Sequence, residues 1–509
     1  MSIIGANHWN RLTHTQRRDK ILRFYKTNSA ELVHEFLSIV RAQKGYGIYA
    51  SIGPNYQYAV FGRDSVVVAE DILEVNQALA KEIILLLAFL QGREFNLVSE
   101  EEQGKIHHEY RSLYFSGKLV PKAAQTAFKK LAPHWGGTDK DMLYYGSFDA
   151  TPRFVSLVHK YCELYGLEIL DYKISSRMGN DQMTLREYVR QATSWFVEKI
   201  TASSWKLFEF RRINPEGLYN QAWADSSLSY LHKDGTIANS DSGVAAIELQ
   251  GHAYDALRAA AELVALDGGE ANSWRHLASI VRNNTLERMW MDDEKYFAMG
   301  LDRSTNGKTR FVSALSSNSA LLLGSGMLRL TPHYRMWSHI EALVKKLFSE
   351  EFMTIVGPRI RSLKYADLVS YADYHGSYVS WPKHTHAIAL GLRNHGFYRL
   401  ANLLDDCVLH AVGKSGEFYE FYYVDRLGRP KYHYRQENPD EPTLHEFAAA
   451  ELPEQGQAWT ISAIINIINY RHSEQPIQPV LGEVKALEDE ILQQENVKSI
   501  IERLPKKLT

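Results

Sequence analysis

The segment NQAWADSSLSYLHKDGTIANSDSGVAAIELQGHAYDAL, residues 220–257, places an acidic residue among aromatic and amide side chains and then runs into a long apolar helix. Asp225 lies two residues after Trp223, with Asn220 and Gln221 before it and serines after it. Uncharged surroundings can raise the pKa of a carboxyl group and keep it protonated near neutral pH. Such a group can donate a proton to a glycosidic oxygen while aromatic and amide groups hold the sugar. The structural alternative is that Asp225 caps a helix, because Asp is a favoured N-cap residue.

The composition indicates a globular protein with an uncharged partner. Among 509 residues, 45% are hydrophobic and 23% are charged, as is ordinary for soluble globular proteins. A net charge of -2 gives no electrostatic basis for binding nucleic acid or an anionic membrane. Aromatic residues reach 12%, with 29 Tyr and 10 Trp. Tyr and Trp combine an apolar face with a polar edge, which suits sugar rings, although a large helical core also needs bulky residues.

The cysteine content and the N-terminal sequence predict a cytoplasmic protein. Cys162 and Cys407 are far apart in apolar contexts, so we expect neither a disulfide nor a zinc site. The first residues have no continuous apolar stretch, and no later segment reaches 18 uncharged apolar residues. No motif implies a metal or an organic cofactor, and the sequence has no Gly-rich phosphate loop.

Helical spacing recurs through most of the chain and predicts ten or more helices. The predicted helical stretches are 1–45, 66–91, 153–166, 183–203, 226–232, 243–265, 271–290, 313–328, 333–350, 381–413 and 458–472. The strand and helix alternation of a parallel sheet is absent from this pattern. The clearest β-type run is 417–435, where two aromatic segments flank a Gly-containing turn, as in a hairpin. Consecutive helix pairs with polar loops at one end predict an all-α (α/α)6 barrel with short β-hairpin insertions.

The domain organisation follows from shifts in composition. We predict one barrel domain over residues 1–475, which includes a polar and basic excursion at 96–145. Past about Arg471 the sequence changes to a Pro-containing linker and a charged amphipathic tail, which form a segment at 476–509. This tail is expected to pack outside the barrel or to mediate association between subunits, and it has no predicted catalytic part.

Seven short motifs follow one another along the chain. They are GRDS at 62–65, YGSFDATPRF at 145–154, NQAWADS at 220–226, IELQGHAY at 247–254, SSNSALLLGSG at 316–326, YHGSYVSWP at 374–382 and QAWTISA at 457–463. In this order they resemble the motifs of the (α/α)6 inverting glycosidases. The resemblance is greatest to bacterial proteins similar to glycogen-debranching amylo-α-1,6-glucosidases, with glucoamylases, processing α-glucosidase I and trehalases more distant. It covers most of the chain, and the ordered series is more specific than any single motif.

The resemblance implies roles for individual residues. Arg63 and Asp64 would hold the sugar in the subsite where cleavage occurs, and Asp225 would be the general acid. The family's E-x-Q-G-Y motif stands here with His252 in place of Tyr, so that Glu248 and Gln250 are expected in or behind the pocket wall. The substrate-binding residues that the resemblance implies are Arg63, Asp64, Asn220, Gln221, Trp223, Glu248, Gln250, His375, Trp381 and Trp459.

The general base is less well defined by the sequence. Inverting hydrolysis needs a second carboxylate, typically about 6.5–9.5 Å from the first, to activate a water. Relatives place this glutamate before a Q-A-W motif, here Gln457–Trp459. Glu420 matches the pattern of Gly, Glu, an aromatic residue and then Asp and Gly-x-Pro, whereas Glu446 lies closer to Trp459 at a spacing also seen among relatives. We favour Glu420, because the intervening segment is then a simple insertion, and Glu451 and Glu454 are more distant alternatives.

These residues predict an inverting α-glycosidase that cleaves α-glucosidic bonds, α-1,6 bonds among them, in oligosaccharides or glycogen-type fragments. Two alternatives remain open. One is a sugar epimerase or isomerase that uses histidines as acid and base, and the other is a carbohydrate-binding protein without catalysis. The family's N-terminal β-sandwich has no counterpart before Gly62. One pocket wall is therefore expected to come from residues 96–145, from the tail or from a second subunit.

Overall fold

The computed structural model describes residues 2–115, 117–177, 179, 182–329, 336–369, 373–434, 452–474 and 480–505. The α-helices are α1 (Ser2–Arg11), α2 (His14–Thr27), α3 (Ala30–Val40), α4 (Gly62–Ile72), α5 (Gln77–Phe89), α6 (Lys122–Leu131), α7 (Ala150–Tyr165), α8 (Leu185–Ala202), α9 (Ile247–Leu263), α10 (Gly268–Arg288), α11 (Trp337–Leu347), α12 (Pro382–Asn394), α13 (Tyr398–Ser415), α14 (Ala458–His472), α15 (Gly482–Leu492) and α16 (Glu495–Arg503). Short 3₁₀ helices span Leu167–Asp171, Ser317–Gly324, Gly326–Leu328 and Leu363–Tyr365.

The strands are short and antiparallel. They are β1 (Ala59–Phe61), β2 (Glu109–Ser112), β3 (Tyr114–Phe115), β4 (Lys118–Leu119), β5 (Asp141–Tyr144), β6 (Lys173–Ser175), β7 (Gln182–Thr184), β8 (Ala245–Ala246), β9 (Trp290–Met291), β10 (Tyr296–Phe297), β11 (Gly300–Arg303), β12 (Thr309–Val312), β13 (Met353–Thr354), β14 (Gly357–Pro358), β15 (Val379–Ser380) and β16 (Tyr422–Tyr423). The two largest sheets have three strands each, in the orders β1-β2-β5 and β12-β11-β8.

Six helices contact one another in a closed circuit. In order they are α4, α7, α9, the 3₁₀ helix 317–324, α12 and α14, and α14 returns to contact α4. Each of the six also contacts at least one helix outside the circuit. Among these outer helices are α5, α8, α10, α11, α13 and α3, in the same order. Nearly every side chain of α4 is buried, whereas α10 buries one face. This is the difference expected between helices inside and outside a packed ring.

Several predicted helical stretches differ from the structure. The stretch 1–45 forms α1, α2 and α3, and 381–413 forms α12 and α13. The run 66–91 forms two helices, because the chain turns after Ile72 and the Asn76 side chain caps α5 by accepting a hydrogen bond from the Leu79 N–H at 3.1 Å. The stretch 313–328 forms 3₁₀ helices, in which serine side chains bond to nearby backbone N–H groups and compete with α-helical geometry. Residues 226–232 form turns and no helix.

The predicted hairpin at 417–435 is reduced, within the described residues, to a single bridge between Val424 and Pro430. Its turn contains Gly428, whose φ is +71°, a conformation that favours glycine. The aromatic strand β16 pairs instead with β15, in the register Val379 to Tyr423 and Ser380 to Tyr422. This pairing places residue 420 beside the start of α12.

The C-terminal helices pack on the same chain. In α15 the buried side chains are Val484, Leu487, Glu488 and Ile491. The Glu488 carboxylate accepts hydrogen bonds from the backbone N–H groups of Arg399 and Leu400 at 2.8 and 3.2 Å, where α13 begins and the N–H groups have no intrahelical partners. Among the described residues, no helix has the length and apolar character needed to cross a membrane.

A buried charge cluster joins the central helices and makes stability depend on pH. His386 on α12 lies 3.6 Å from Asp71 on α4 and 3.7 Å from Asp405 on α13, and Asp405 also binds Arg393. The Ser462 hydroxyl on α14 donates to Asp71 at 2.6 Å. Burial alone would lower the pKa of His386, but the two carboxylates raise it to about 9.

Because this pKa is raised on folding, the protonated imidazole contributes stability that is complete below about pH 6.5 and is lost as pH rises through about 9. We expect the free energy of unfolding to fall by up to about 3 kcal/mol across this range. His386→Gln should be less stable at pH 6 and should lose less stability between pH 6 and 9, as measured by urea denaturation. Parallel pH profiles for the two proteins would contradict this role for His386.

Candidate active site

A cavity of about 330 Å³ lies where three central helices begin. It is formed by the segment that leads into α4, the loop before β8, the segment that leads into α12, the residues before β16 and the start of α14. Its lining residues are Ala50, Tyr56, Phe61, Arg63, Asp64, Trp223, Asp225, Tyr374, His375, Trp381, Glu420, Gln457 and Trp459. Residues from five separate motifs or segments therefore meet in one place.

The first motif reaches the cavity through a close backbone approach. The Gly62 N–H donates to the His108 carbonyl at 3.0 Å, and a Cβ atom at Gly62 would lie 2.1 Å from the His107 carbonyl oxygen. A larger residue would therefore push α4 away from β2. Glycine here allows Arg63 and Asp64, both 4% exposed, to enter the cavity wall from the first turn of the helix.

Arg63 is held by three acceptors. Its Nε donates to Asp149 at 2.6 Å, its Nη1 to Asp225 at 3.0 Å and its Nη2 to the Ala222 carbonyl at 2.8 Å. Asp149 also accepts a hydrogen bond from the Ser147 hydroxyl at 2.7 Å. Burial would raise the pKa of Asp149, but Arg63 lowers it below its usual value. Asp149 therefore stays ionised and fixes the guanidinium against Asp225.

Asp225 lies in a loop, and no described helix starts at it. The N-cap interpretation of this residue is therefore wrong. Its side chain is 24% exposed and reaches the cavity. Burial raises the pKa of Asp225 above the usual value, whereas Arg63 opposes this shift. The carboxyl thus combines partial access with the desolvation that a proton donor needs.

Asp64 lies in the cavity lining, and Lys383, which was not predicted from the sequence, lies close to it. Burial raises the pKa of Asp64 to about 7, with Arg63 and Lys383 acting against it. The Lys383 amine lies 4.2 Å from the ring centre of Trp223 and 5.4 Å from that of Trp459. Burial lowers its pKa to about 7. The position of Lys383 directly after Trp381 and Pro382 of the sixth motif was the one feature of the sequence that could have indicated this residue.

Glu420 is surrounded by hydroxyl and backbone donors. The Tyr374 hydroxyl donates to Oε1, and the Glu454 N–H donates to Oε2 at 3.4 Å. The Tyr56 hydroxyl lies 3.4 Å from that of Tyr374. Burial raises the pKa of Glu420 well above its usual value, and the hydrogen bond from Tyr374 opposes the shift. Tyr56 and Tyr374 were not predicted, although Tyr374 directly precedes His375.

The remaining wall of the cavity is aromatic. Trp381 stacks on His375 with ring centres 5.0 Å apart and packs edge-on against Trp223 and Trp459, each at 5.6 Å. The Trp223 indole N–H donates to Asn318 at 2.9 Å. His375 is positioned by the Ser226 hydroxyl at 3.1 Å from its Nδ1. These contacts fix the rings before any ligand binds.

Several predicted residues have other partners. Asn220 and Gln221 do not line the cavity, which corrects the expectation for both. The Asn220 amide donates to the Ser226 carbonyl at 2.7 Å, and the Gln221 amide donates to Glu100 at 2.6 Å. Both residues are fully buried; Asn220 binds within the loop that carries Asp225, and Gln221 ties this loop to Glu100.

Glu248 and Gln250 also lie outside the cavity lining. Glu248 accepts a hydrogen bond from the Tyr230 hydroxyl at 2.7 Å, and Gln250 binds the backbone N–H and carbonyl of Phe208. They support the site from behind and do not form its wall.

His384 stacks on Trp223 from outside the cavity lining, with ring centres 5.0 Å apart, and contacts the Ser317 hydroxyl at 2.8 Å. Among the alternative bases, Glu446 and Glu451 lie outside the described residues. Glu454 is buried and accepts a hydrogen bond from the Ser51 hydroxyl at 2.8 Å.

Two of the three expected sources of one pocket wall, residues 96–145 and the tail, are corrected. Among the described residues, the cavity wall near Glu420 includes Ala50, Tyr56 and Phe61, and no described residue of 96–145 or of the tail lines it. The excursion at 96–145 lies behind this wall, because its strand β2 pairs with β1.

Cys162 and Cys407 are both free and buried. No group of three or more potential metal ligands is close enough to hold an ion in the part of the chain that the structure describes.

The chain has a helical fold shared with glycosidases. The mannosylglycerate hydrolase of family GH63 from Thermus thermophilus, in complex with glucose, aligns with a TM-score of 0.53 and 14% identity over 85% of this chain and 98% of that chain. A glycosidase with one glutamate replaced by alanine aligns with a TM-score of 0.53 and 12% identity over 89% and 97% of the two chains. No family model and no curated protein matches the sequence. At these identities the likeness is one of fold.

Proposed function

We propose that this protein is an inverting α-glycosidase that acts on α-glucosidic bonds of uncharged oligosaccharides, α-1,6 bonds among them. The observation that carries this proposal is that two carboxyl groups, the partly buried Asp225 and the buried Glu420, line one cavity with three tryptophans. Paired carboxyl groups are the usual machinery of glycoside hydrolysis. The fold shared with glycosidases and the order of the motifs support the same class.

The closed circuit of six helices, each with at least one further helical partner, supports the (α/α)6 barrel, and we assign residues 1–475 to that domain and 476–509 to a separate tail. In this arrangement the cavity lies at one end of the ring, where α4, α12 and α14 begin. Loops at the end of a rigid scaffold are a common position for catalytic residues.

We assign Asp225 the role of general acid. A sugar in the cavity would exclude water from Asp225 and so favour its protonated form further. The positive charge of Arg63 opposes this effect, but Asp149 already neutralises much of that charge. The Arg63 Nε donates a hydrogen bond to Asp149 at 2.6 Å. Asp225 would donate its proton to the glycosidic oxygen as the bond to the anomeric carbon breaks.

We assign Glu420 the role of general base. It would take a proton from a water molecule as that water attacks the anomeric carbon. The hydrogen bond from the Tyr374 hydroxyl favours the ionised form that this step requires, and it opposes the larger effect of burial, which raises the pKa of Glu420. The aromatic wall and Asp64 would hold the sugar ring. These contacts can become stronger as the sugar distorts towards the transition state.

The cavity favours an uncharged substrate. Its described lining contains three acidic residues, Asp64, Asp225 and Glu420, and one basic residue, Arg63, which is already bound to two carboxylates. An anionic aglycone such as glycerate, which is named in the substrate of the GH63 hydrolase with this fold, would lack a free cation among these lining residues. We therefore place neutral glucosides ahead of glycerate conjugates.

The epimerase alternative receives less support. His375 is the only histidine among the described lining residues, and burial lowers its pKa well below the usual value. A mechanism that uses one histidine as acid and another as base would therefore lack its second histidine among the described lining residues. The binding-protein alternative predicts sugar binding without turnover.

The experiment that tests the function is hydrolysis of maltose, isomaltose, panose, trehalose, glucosylglycerate and mannosylglycerate, with the anomer of the released sugar followed by NMR. We expect β-glucose to form first from at least one neutral glucoside. Initial release of α-glucose would overturn the inverting mechanism. Binding of these sugars without release of any product would favour the binding protein.

A further inference from the structure

A second concave surface, which we call the tyrosine groove, has a volume of about 360 Å³, part of which is open to solvent. Its aromatic lining consists of Tyr46, Tyr49, Tyr58, Tyr110, Tyr114 and Phe115. None of its described lining residues carries a charge. The proposed active site uses none of these side chains.

The tyrosine groove and the cavity lie on opposite faces of one sheet. Val60 of β1 lines the groove and the next residue, Phe61, lines the cavity; successive strand residues point to opposite faces. Val60 pairs across the sheet with Tyr110 of β2, and Phe61 pairs with Glu109. The sheet therefore presents aromatic surfaces on both sides.

The tyrosine rings of the groove form a platform. Tyr46 and Tyr110 stack with ring centres 5.9 Å apart and an interplanar angle of 19°. The Tyr110 hydroxyl donates to Asp141 at 3.2 Å, and Tyr114 is 47% exposed whereas Tyr58 is 9% exposed. Tyr58 also has a φ of +61°, a conformation that is uncommon for a bulky residue. The platform thus offers ring faces together with tyrosine hydroxyl groups at its edges.

We propose that the tyrosine groove is a second carbohydrate-binding site, which holds an uncharged oligosaccharide outside the catalytic cavity. Aromatic faces with hydroxyl edges match the apolar faces and hydroxyl groups of a sugar chain, and the absence of charge in the lining matches a neutral ligand. The choice of an α-glucan as the ligand rests on the proposed function. A proline-rich peptide is the competing ligand, because extended proline helices also dock on aromatic grooves.

The test is titration calorimetry of the full chain with maltoheptaose, carried out with Asp225→Asn to prevent hydrolysis. Tyr46→Ala and Tyr110→Ala remove the stacked platform, and each is expected to weaken groove binding about five- to tenfold. Tyr114→Ala, at an exposed edge strand, gives a further variant with little effect on folding. Tyr46→Phe keeps the ring and should bind nearly as well as the parent protein. Trp459→Ala, which alters the catalytic cavity, should leave groove binding in place.

Maltoheptaose binding that persists in Trp459→Ala and is lost in the tyrosine-to-alanine variants would establish the groove as a site. Equal binding by Tyr46→Ala, Tyr110→Ala, Tyr114→Ala and the parent would overturn the proposal, as would binding of decaproline in place of the sugar. In the active protein, the tyrosine variants should keep their kcat on 4-nitrophenyl α-glucoside. Because the calorimetry needs no turnover, groove binding can succeed where hydrolysis fails, and the two proposals can fail separately.

Discussion

Asp225→Asn is expected to lower kcat for hydrolysis of a neutral oligosaccharide by roughly 10²–10⁴-fold, the usual contribution of a general acid. The same variant should hydrolyse α-glucosyl fluoride within about tenfold of the wild-type rate, because fluoride leaves without receiving a proton. Asparagine keeps the shape of the side chain and can still accept the hydrogen bond from Arg63. The measurement is the initial rate on the two substrates.

Asp241→Asn is the matched control, since Asp241 lies in the same stretch of chain and its side chain is 59% exposed. It should keep wild-type rates on both substrates, because Asp241 pairs with Arg212 away from the cavity. An equal loss of activity by Asp225→Asn on both substrates would remove its assignment as the acid. Wild-type activity on both would remove Asp225 from the mechanism.

Local apolar patterns predicted much of the fold. Helices α7, α8, α9, α10 and α14 lie close to their predicted ranges because each has an apolar face repeated at helical spacing. The break at Asn76 was missed because the apolar pattern continues on both sides of it, and only the side-chain cap at Leu79 shows where the turn falls. The 3₁₀ form of 317–324 depends on serine bonds that a hydrophobic pattern does not reveal.

The candidate site was predictable where a motif supplies side chains directly to the cavity, as with Arg63, Asp225 and Trp381. It was not predictable where the tertiary structure decides which way an amide points. Asn220 adjoins the same motif, yet its amide binds the loop backbone. Tyr56 lies far from Glu420 in the sequence and reaches it only through Tyr374. Contacts of this kind have no local signal.

Glu420→Gln is expected to lower kcat roughly 10²–10⁴-fold on both the oligosaccharide and α-glucosyl fluoride, because both reactions need an activated water. This pattern differs from that of Asp225→Asn, which should spare the fluoride. Glutamine has nearly the same volume as glutamate and can still accept a hydrogen bond from Tyr374, so the loss should come from chemistry and not from folding. Thermal unfolding of the variant provides the check on folding.

The same substitution at Glu446 and Glu454 separates the competing assignments of the base. Glu454 is held by Ser51 and lies outside the cavity lining, so Glu454→Gln should keep measurable activity. If Glu446→Gln loses activity on both substrates while Glu420→Gln keeps it, Glu446 is the base. The carboxyl group of Glu420, which Tyr374 binds, then has a structural role. If Glu420→Gln is the one variant that loses activity on both substrates, the cavity contains the complete acid and base pair. Added azide should then react with Glu420→Ala and α-glucosyl fluoride to give β-glucosyl azide, because the anion attacks from the side of the missing carboxylate without needing a base.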